Sequence, residues 1–146
     1  MYNEQGPLPL RAEVDSCSNS PPPCILTNGQ RVFIPIVFTV PRSTTTLKTE
    51  VMLYFTDENG ILYNLPVEEP RTKNTCKYLL DATCPVRKGE ILLYPFQTLI
   101  YEPNFDDGQQ VAVEIMIYDN KVEEVMCLRV EFIFHQKAAS PTILDA

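Results

Sequence analysis

The groups in this chain that could do chemistry are few: one histidine, five cysteines and a scatter of acidic pairs. His135 ends an alternating apolar run and is followed by Gln136 and Lys137, with no adjacent group to orient it as a general base. A surface histidine at a strand end is the simpler reading. The sequence holds no Gly-x-Ser-x-Gly elbow and no Gly-rich phosphate loop. Glu68-Glu69, Asp106-Asp107 and Glu123-Glu124 lack the spacing of a calcium loop and read as solvated turns. A hydrolase would need a nucleophile beside a base, and no such pair stands out. The expectation is a protein that is not an enzyme and holds neither metal nor cofactor.

The cysteines are more informative. Six residues separate Cys17 from Cys24, and seven separate Cys76 from Cys84. Neither spacing is Cys-x-x-Cys, and a single histidine is too few to complete a zinc set. Two short disulfides, Cys17–Cys24 and Cys76–Cys84, are expected, with Cys127 left over as a thiol, in an oxidising compartment. The alternative is five thiols in a reducing cytosol.

These residues must be positioned by a single domain. A chain of 146 residues buries ~70% of its extended surface and supports a core without a metal. A hydrophobic content of 45% with 21% charged residues excludes a disordered chain. Thirteen prolines argue against an all-helical fold. No apolar run approaches the ~18 residues of a membrane-spanning helix. Twelve basic against nineteen acidic residues leave a net charge of −7, which speaks against nucleic acid and against stable docking on anionic membranes. Met1 is not followed by a basic and then an apolar segment, so no secretory signal is read.

Every strong segment alternates with period two, the mark of a strand. Val32 to Val40 puts Val32, Ile34, Ile36, Phe38 and Val40 on one face; Pro35 suggests an edge strand or a bulge. Leu47 to Thr56 carries Val51, Leu53 and Phe55 inward, and Asp57-Glu58-Asn59-Gly60 turns it into a strand from Ile61 to Val67. Glu68 to Thr83 reads as a stapled loop. Ile91 to Tyr101 is apolar. Val111 to Tyr118 sends Val111, Val113, Ile115 and Ile117 inward, and Met126 to Phe134 sends Met126, Leu128, Val130, Phe132 and Phe134 inward. Leu8 to Val14 is a weaker strand. About seven strands and no helix predict an all-β, two-sheet, immunoglobulin-like sandwich over residues 1–136, with a frayed tail at 137–146. There is no tryptophan to plug it. Two outcomes are open: a core closed by Phe and Ile, or sheets held apart around an apolar cavity.

The ordered motifs resemble a family. Cys17 through Cys24-Ile25-Leu26-Thr27-Asn28-Gly29 resembles the opening of ML lipid-recognition domains. Cys76 and the run Cys84-Pro85-Val86-Arg87-Lys88-Gly89 resemble their second disulfide loop and its C-P-[IV]-x-x-G signature. Tyr94, and the strands ending at Cys127, are similar to Niemann–Pick type C2 proteins and their arthropod relatives. The likeness runs from Gly6 to His135. One departure stands out: the family's last-strand cysteine pairs near the N-terminus, and its spacing counted back from Cys17 lands on Tyr2.

The resemblance implies a secreted monomeric carrier, in extracellular fluid or the lysosomal lumen, with an apolar cavity between its sheets. Its partner would be a small hydrophobic ligand, a fatty acid, sterol or semiochemical, with a membrane or receptor for hand-off. The alternative is a packed interaction module, or an accessory to an innate-immune lipid receptor. The ligand would be lined by Val32, Ile34, Ile36 and Phe38, by Val51, Leu53 and Phe55, and by Val113, Ile115 and Ile117. Ile115 falls where some relatives place a tryptophan. Leu65, Ile100 and Phe105 fall near the family's gate residues, and Tyr94 and Tyr101 would offer hydroxyls to a head group. Cys127 lies on the outward phase of its strand, where a thiol would invite intermolecular disulfides.

Overall fold

A computed structural model describes residues 7–14, 24–68 and 70–136. Within them, β1 (Arg11–Ala12), β3 (Arg31–Thr39) and β6 (Ile91–Leu99) form a three-stranded sheet in the order β1-β3-β6. β2 (Cys24–Thr27), β4 (Lys48–Thr56), β5 (Leu62–Pro66), β7 (Gln110–Tyr118) and β8 (Glu124–His135) form a five-stranded sheet in the order β2-β8-β7-β4-β5. β2 runs parallel to β8, and the other pairings are antiparallel. This is the two-sheet sandwich that the alternation predicts.

Sequence period and burial coincide because only a strand puts residues i and i+2 on one face. In β3, Val32, Ile34, Ile36 and Phe38 are buried, while Arg31, Phe33 and Thr39 are exposed. β6 answers with Leu92, Tyr94, Phe96 and Thr98. The five-stranded sheet supplies Val113, Ile115, Leu128 and Phe132 from the other side. Burial of each large apolar side chain contributes ~1.5–3 kcal/mol over leaving it in water. The β4–β5 hairpin closes on Asp57, whose Oδ1 accepts the N–H groups of Asn59 and Ile61 at 2.9 Å each. Gly60 supplies the positive φ, +80°, that the turn needs.

Pro35 departs from expectation: it is neither on an edge nor at a bulge, since β3 is the central strand of its sheet. The register explains this. Pro35 lies directly opposite Pro95 of β6. Two residues without N–H groups can face each other where neither is asked for a ladder bond, with each backbone pointing away from its partner strand. Neighbours of the same phase agree. The Val37 carbonyl accepts from Leu10 N–H at 2.8 Å and the Leu93 carbonyl from Leu80 N–H at 3.0 Å, both outside the β3–β6 seam. On its far side β3 is paired only at Val37 and Ile36, so β1 asks nothing of Pro35.

Three further differences concern the connections. The loop from Glu68 to Thr83 is stapled by Cys76–Cys84, but it also contains a 3₁₀ segment, Pro70–Tyr78, interrupted at Asn74. That segment packs on β4, touches β6, and donates Thr75 N–H to the Leu47 carbonyl at 3.0 Å, so it covers one flank of the gap between the sheets. β2, which periodicity passes over, adds its four residues to β8. The first described residues span the two sheets: Leu10 N–H bonds to Val37, and Cys127 N–H donates to the Pro7 carbonyl at 2.8 Å. Cys24 is disulfide-bonded, while Cys17 and the tail at 137–146 lie outside the described residues.

Candidate functional site

The strand residues nominated by the sequence all sit on the inner faces of the two sheets. Val32, Ile34, Ile36, Val113, Ile115 and Ile117 are each 0% exposed, so no gap as wide as a water molecule adjoins them. Phe38, Val51 and Leu53 are buried beside them. Of the two outcomes left open by periodicity, these positions take the closed one. The layers meet side chain to side chain, and the seam between them is apolar packing rather than a hydrogen-bonded ladder.

One end of that seam is sealed by aromatic rings. Tyr63 of β5 stacks on Phe55 of β4 with centroids 5.6 Å apart. Phe105, from the loop between β6 and β7, stands 4.7 Å from Phe55 and 5.1 Å from Phe134 of β8. Leu65 is half-buried and lies opposite Leu53 in the β4–β5 register. Ile100 is buried, and its carbonyl accepts from Gly29 N–H at 2.9 Å. Leu65, Phe105 and Ile100 thus all lie at this end of the sandwich. Tyr101 does not reach the interior. It is 61% exposed and lies across the Asn28–Gly29 turn, where a Cβ on Gly29 would come within 3.8 Å of its ring.

The loop bearing Phe105 is tied to the end of β8 and the β2–β3 turn. Asn28 Oδ1 accepts from Glu102 N–H at 2.8 Å, and Asn28 Nδ2 donates to Gln136 Oε1 at 2.8 Å. Gln136 also donates from Nε2 to the Phe105 carbonyl. His135, which the sequence leaves without a partner, lies 3.1 Å from Asp107, whose Oδ1 also accepts Gln136 N–H at 2.9 Å. Both His135 and Asp107 are exposed. Their geometry ties down a loop rather than building a catalytic pair.

Hydroxyls interrupt the apolar interior. Thr49 of β4 and Thr75 share a bond of 2.6 Å, and Thr49 Oγ1 donates across the sandwich to the Tyr94 hydroxyl at 3.3 Å. Thr98 of β6 is 0% exposed. A depression of about 90 Å³ is lined by Tyr78, Tyr94, Pro95 and Gln97. Sequence reasoning missed Phe96, Thr98 and the Thr49–Thr75 pair. Extending the alternation through Ile91 to Tyr101 would have found the first two, since Leu92, Tyr94, Phe96, Thr98 and Ile100 share a face.

The outer face of the five-stranded sheet carries the ionisable groups. Glu114 is buried there, with the Tyr54 hydroxyl donating to it at 3.4 Å and the Arg129 guanidinium paired with it at 3.7 Å and lying 5.1 Å over the Tyr54 ring. Cys127 does stand on the outward phase, yet it is 1% exposed, which overturns its expected surface reactivity. Burial first, then the Glu114 and Glu124 carboxylates, push its thiol up to about 12. Burial also raises Glu124, with Glu114 adding to it. At the far end, burial pushes Asp119 upward. The N–H groups of Glu123 and Lys121 and the Arg42 guanidinium at 3.0 Å outweigh it and hold the carboxyl below its ordinary value. Among the described residues, no three His, Cys, Asp or Glu side chains gather as a metal site.

No curated protein matches the chain in sequence. Among solved structures, a Niemann–Pick type C2 protein from the Japanese carpenter ant superposes with a TM-score of 0.69 at 13% identity, covering 92% of this chain and 98% of that one. Spo0M, a sporulation control protein from Bacillus subtilis, superposes with a TM-score of 0.52 at 9% identity, covering 90% of this chain and 49% of the other. At such identities the likeness is one of fold. A family profile described as the ML domain spans residues 4–134, which takes in both sheets, the Cys76–Cys84 staple and the Phe105 seal. The chain belongs to the ML-domain family.

Proposed function

We propose that this protein is a lipid carrier. It takes a small hydrophobic molecule between its two sheets, performs no chemistry on it, and works as a monomer in an oxidising compartment outside the cytosol. The observation that carries this reading is the seam itself: two apolar inner faces, closed at one end by a ring borne on a loop. The strand ladders run within each sheet, so parting the layers along the seam breaks mainly side-chain contacts and leaves those ladders whole. A guest restores those contacts with its own surface. Removing ~400 Å² of hydrocarbon from water is worth about 10 kcal/mol at ~25 cal/mol/Å², before the costs of opening and of association.

The direction of opening follows from what pins the sheets. Toward one end the Thr49–Tyr94 bond joins β4 to β6 across the layers, and the Thr44–Val86 backbone bonds, at 3.0 and 2.9 Å, tie the β3–β4 connection to the segment before β6. At the other end Phe105 meets Phe55 and Phe134 through its ring, and hydrogen bonds with Asn28 and Gln136 hold its loop. We place the opening at the Phe105 end, past Leu65 and Ile100, because the seal there is a side chain borne on a loop, and the guest along Ile34, Ile36, Val113 and Ile115. The Cys76–Cys84 bridge supports the oxidising compartment.

The closed seam also favours a second reading, a packed interaction module. Titration with an environment-sensitive fluorophore, followed by competition with long-chain lipids, separates the two. The carrier reading expects a saturable signal that lipids displace. No signal, together with no lipid adduct in native mass spectrometry, favours the module.

A further inference from the structure

Thr98 is the odd residue of the interior. It sits on the inner face of β6, two residues from Phe96 on one side and Ile100 on the other, and lies opposite Val32 of β3. Its side chain is 0% exposed, and its Oγ1 has no hydrogen-bond partner. Other buried threonines differ. Thr49 bonds to Thr75 and Tyr94, and Thr44 bonds to the Thr46 carbonyl at 2.9 Å. A buried hydroxyl left unsatisfied destabilises the protein that carries it, whereas a valine of the same shape would not.

The rest of the interior limits what could satisfy it. Buried charge among the described residues is confined to Glu114 and Asp119, each held by an arginine elsewhere: Glu114 by Arg129 on the outer face, Asp119 by Arg42. None of the described lysines, arginines or histidines is buried. The space between the sheets therefore offers hydroxyls and no cation. An ionised carboxylate brought there would be buried without a countercharge, at a high cost. A neutral oxygen would not meet that cost.

We infer that Thr98 is the polar contact of the ligand site and that the guest is a neutral oxygenated lipid, a fatty alcohol or a sterol, rather than an ionised fatty acid or a bare hydrocarbon. This rests on the carrier reading above and names the ligand class for that same site. Thr98 lies in the layer of Ile100, at the end sealed by Phe105. The guest's hydroxyl then sits just inside the mouth, and its hydrocarbon runs deeper toward Tyr94, about 13 Å farther along the strand.

The test is displacement of N-phenyl-1-naphthylamine from the purified protein by matched pairs: hexadecanol against hexadecane, and cholesterol against cholestane, with palmitate at neutral pH as a further arm. Wild type should favour the hydroxylated member of at least one pair by about fivefold, and the pair that shows it identifies the source. Thr98→Val should abolish that preference by weakening the alcohol alone, and Thr98→Ser should keep it. A thermal midpoint for Thr98→Val at or above wild type shows that the variant folds and that the hydroxyl is a burden in the empty protein. Wild type binding both members of each pair equally, Thr98→Val keeping the preference, or palmitate binding as tightly as hexadecanol would each overturn the inference while leaving the carrier reading in place. If no lipid displaces the probe from wild type, the carrier reading fails and the inference fails with it.

Discussion

Phe105 and Phe55 meet at a centroid distance of 4.7 Å and a tilt of 60°. One ring rides on the loop between β6 and β7 and the other on β4, so the contact joins that loop to the five-stranded sheet. Thr98, Leu65 and Ile100 all belong to the end that this contact covers.

Truncating the loop ring should loosen that end. Phe105 is 7% exposed and contacts Phe134 as well as Phe55. Phe105→Ala should cost about 3 kcal/mol in urea unfolding, with the slope unchanged. Stopped-flow uptake of a fluorescent lipid should become several-fold faster. Uptake at the wild-type rate would locate the mouth elsewhere.

The acid limb of stability should depend on Asp119. Its carboxyl titrates below the ordinary value of 3.8 in the folded protein. The unfolded chain therefore takes up this proton first as pH falls, so the stabilisation is present in full above that value and disappears below it. Asp119→Asn should cost about 2 kcal/mol at pH 7. The gap between wild type and variant should shrink as pH falls through the lowered folded value. A gap of constant size across the range would contradict the pairing with Arg42 and the two backbone N–H groups.

At the alkaline limb the sign reverses. The Cys127 thiol titrates at about 12 when folded, against an ordinary 9.0. The unfolded chain loses that proton first, so stability falls as pH rises above 9 toward 12. Raised values for Tyr54 and Tyr118, caused first by burial, act in the same direction. At pH 8.5 iodoacetamide should label Cys127 slowly in the native protein and quickly in urea. Rapid labelling of the native protein would mean that the outer face is open.

The Cys76–Cys84 staple closes a short loop, with a sequence separation of 8. Replacing both cysteines with alanine should cost about 2.5 kcal/mol by the loop-entropy relation. The loss should be local first. Hydrogen exchange at Thr75, whose N–H bonds to Leu47, should accelerate more than exchange in β7. Equal acceleration in both would show that the staple supports the whole sandwich and not one flank.

What was legible in the sequence follows from what alternation encodes. β3 was readable because it buries one face, and β7 and β8 because their inward positions alternate in residue type even where the outer face is also buried. β2 was not, because four residues carry too little period, and its parallel partner, β8, is set by tertiary pairing. Pro35 misled because a missing N–H is costly only where a partner strand asks for it, and the phase that removes the demand exists only once Pro95 lies opposite. Cys127 was assigned the right phase and the wrong exposure, since the outer face there is buried. Of the site, the inner faces and the region of the mouth were readable. The burden on Thr98 was not, because an unpaired hydroxyl is a property of its surroundings.

The central claim is that the guest lies between the layers after they part. Methyl NMR of the protein with bound hexadecanol tests it most directly. Contacts from the lipid chain to the methyls of Ile36, Val113 and Ile115, with none to the outward methyls of Val37 and Leu93, are the predicted result. Contacts confined to Val37 and Leu93, with the inner methyls unshifted, would contradict it.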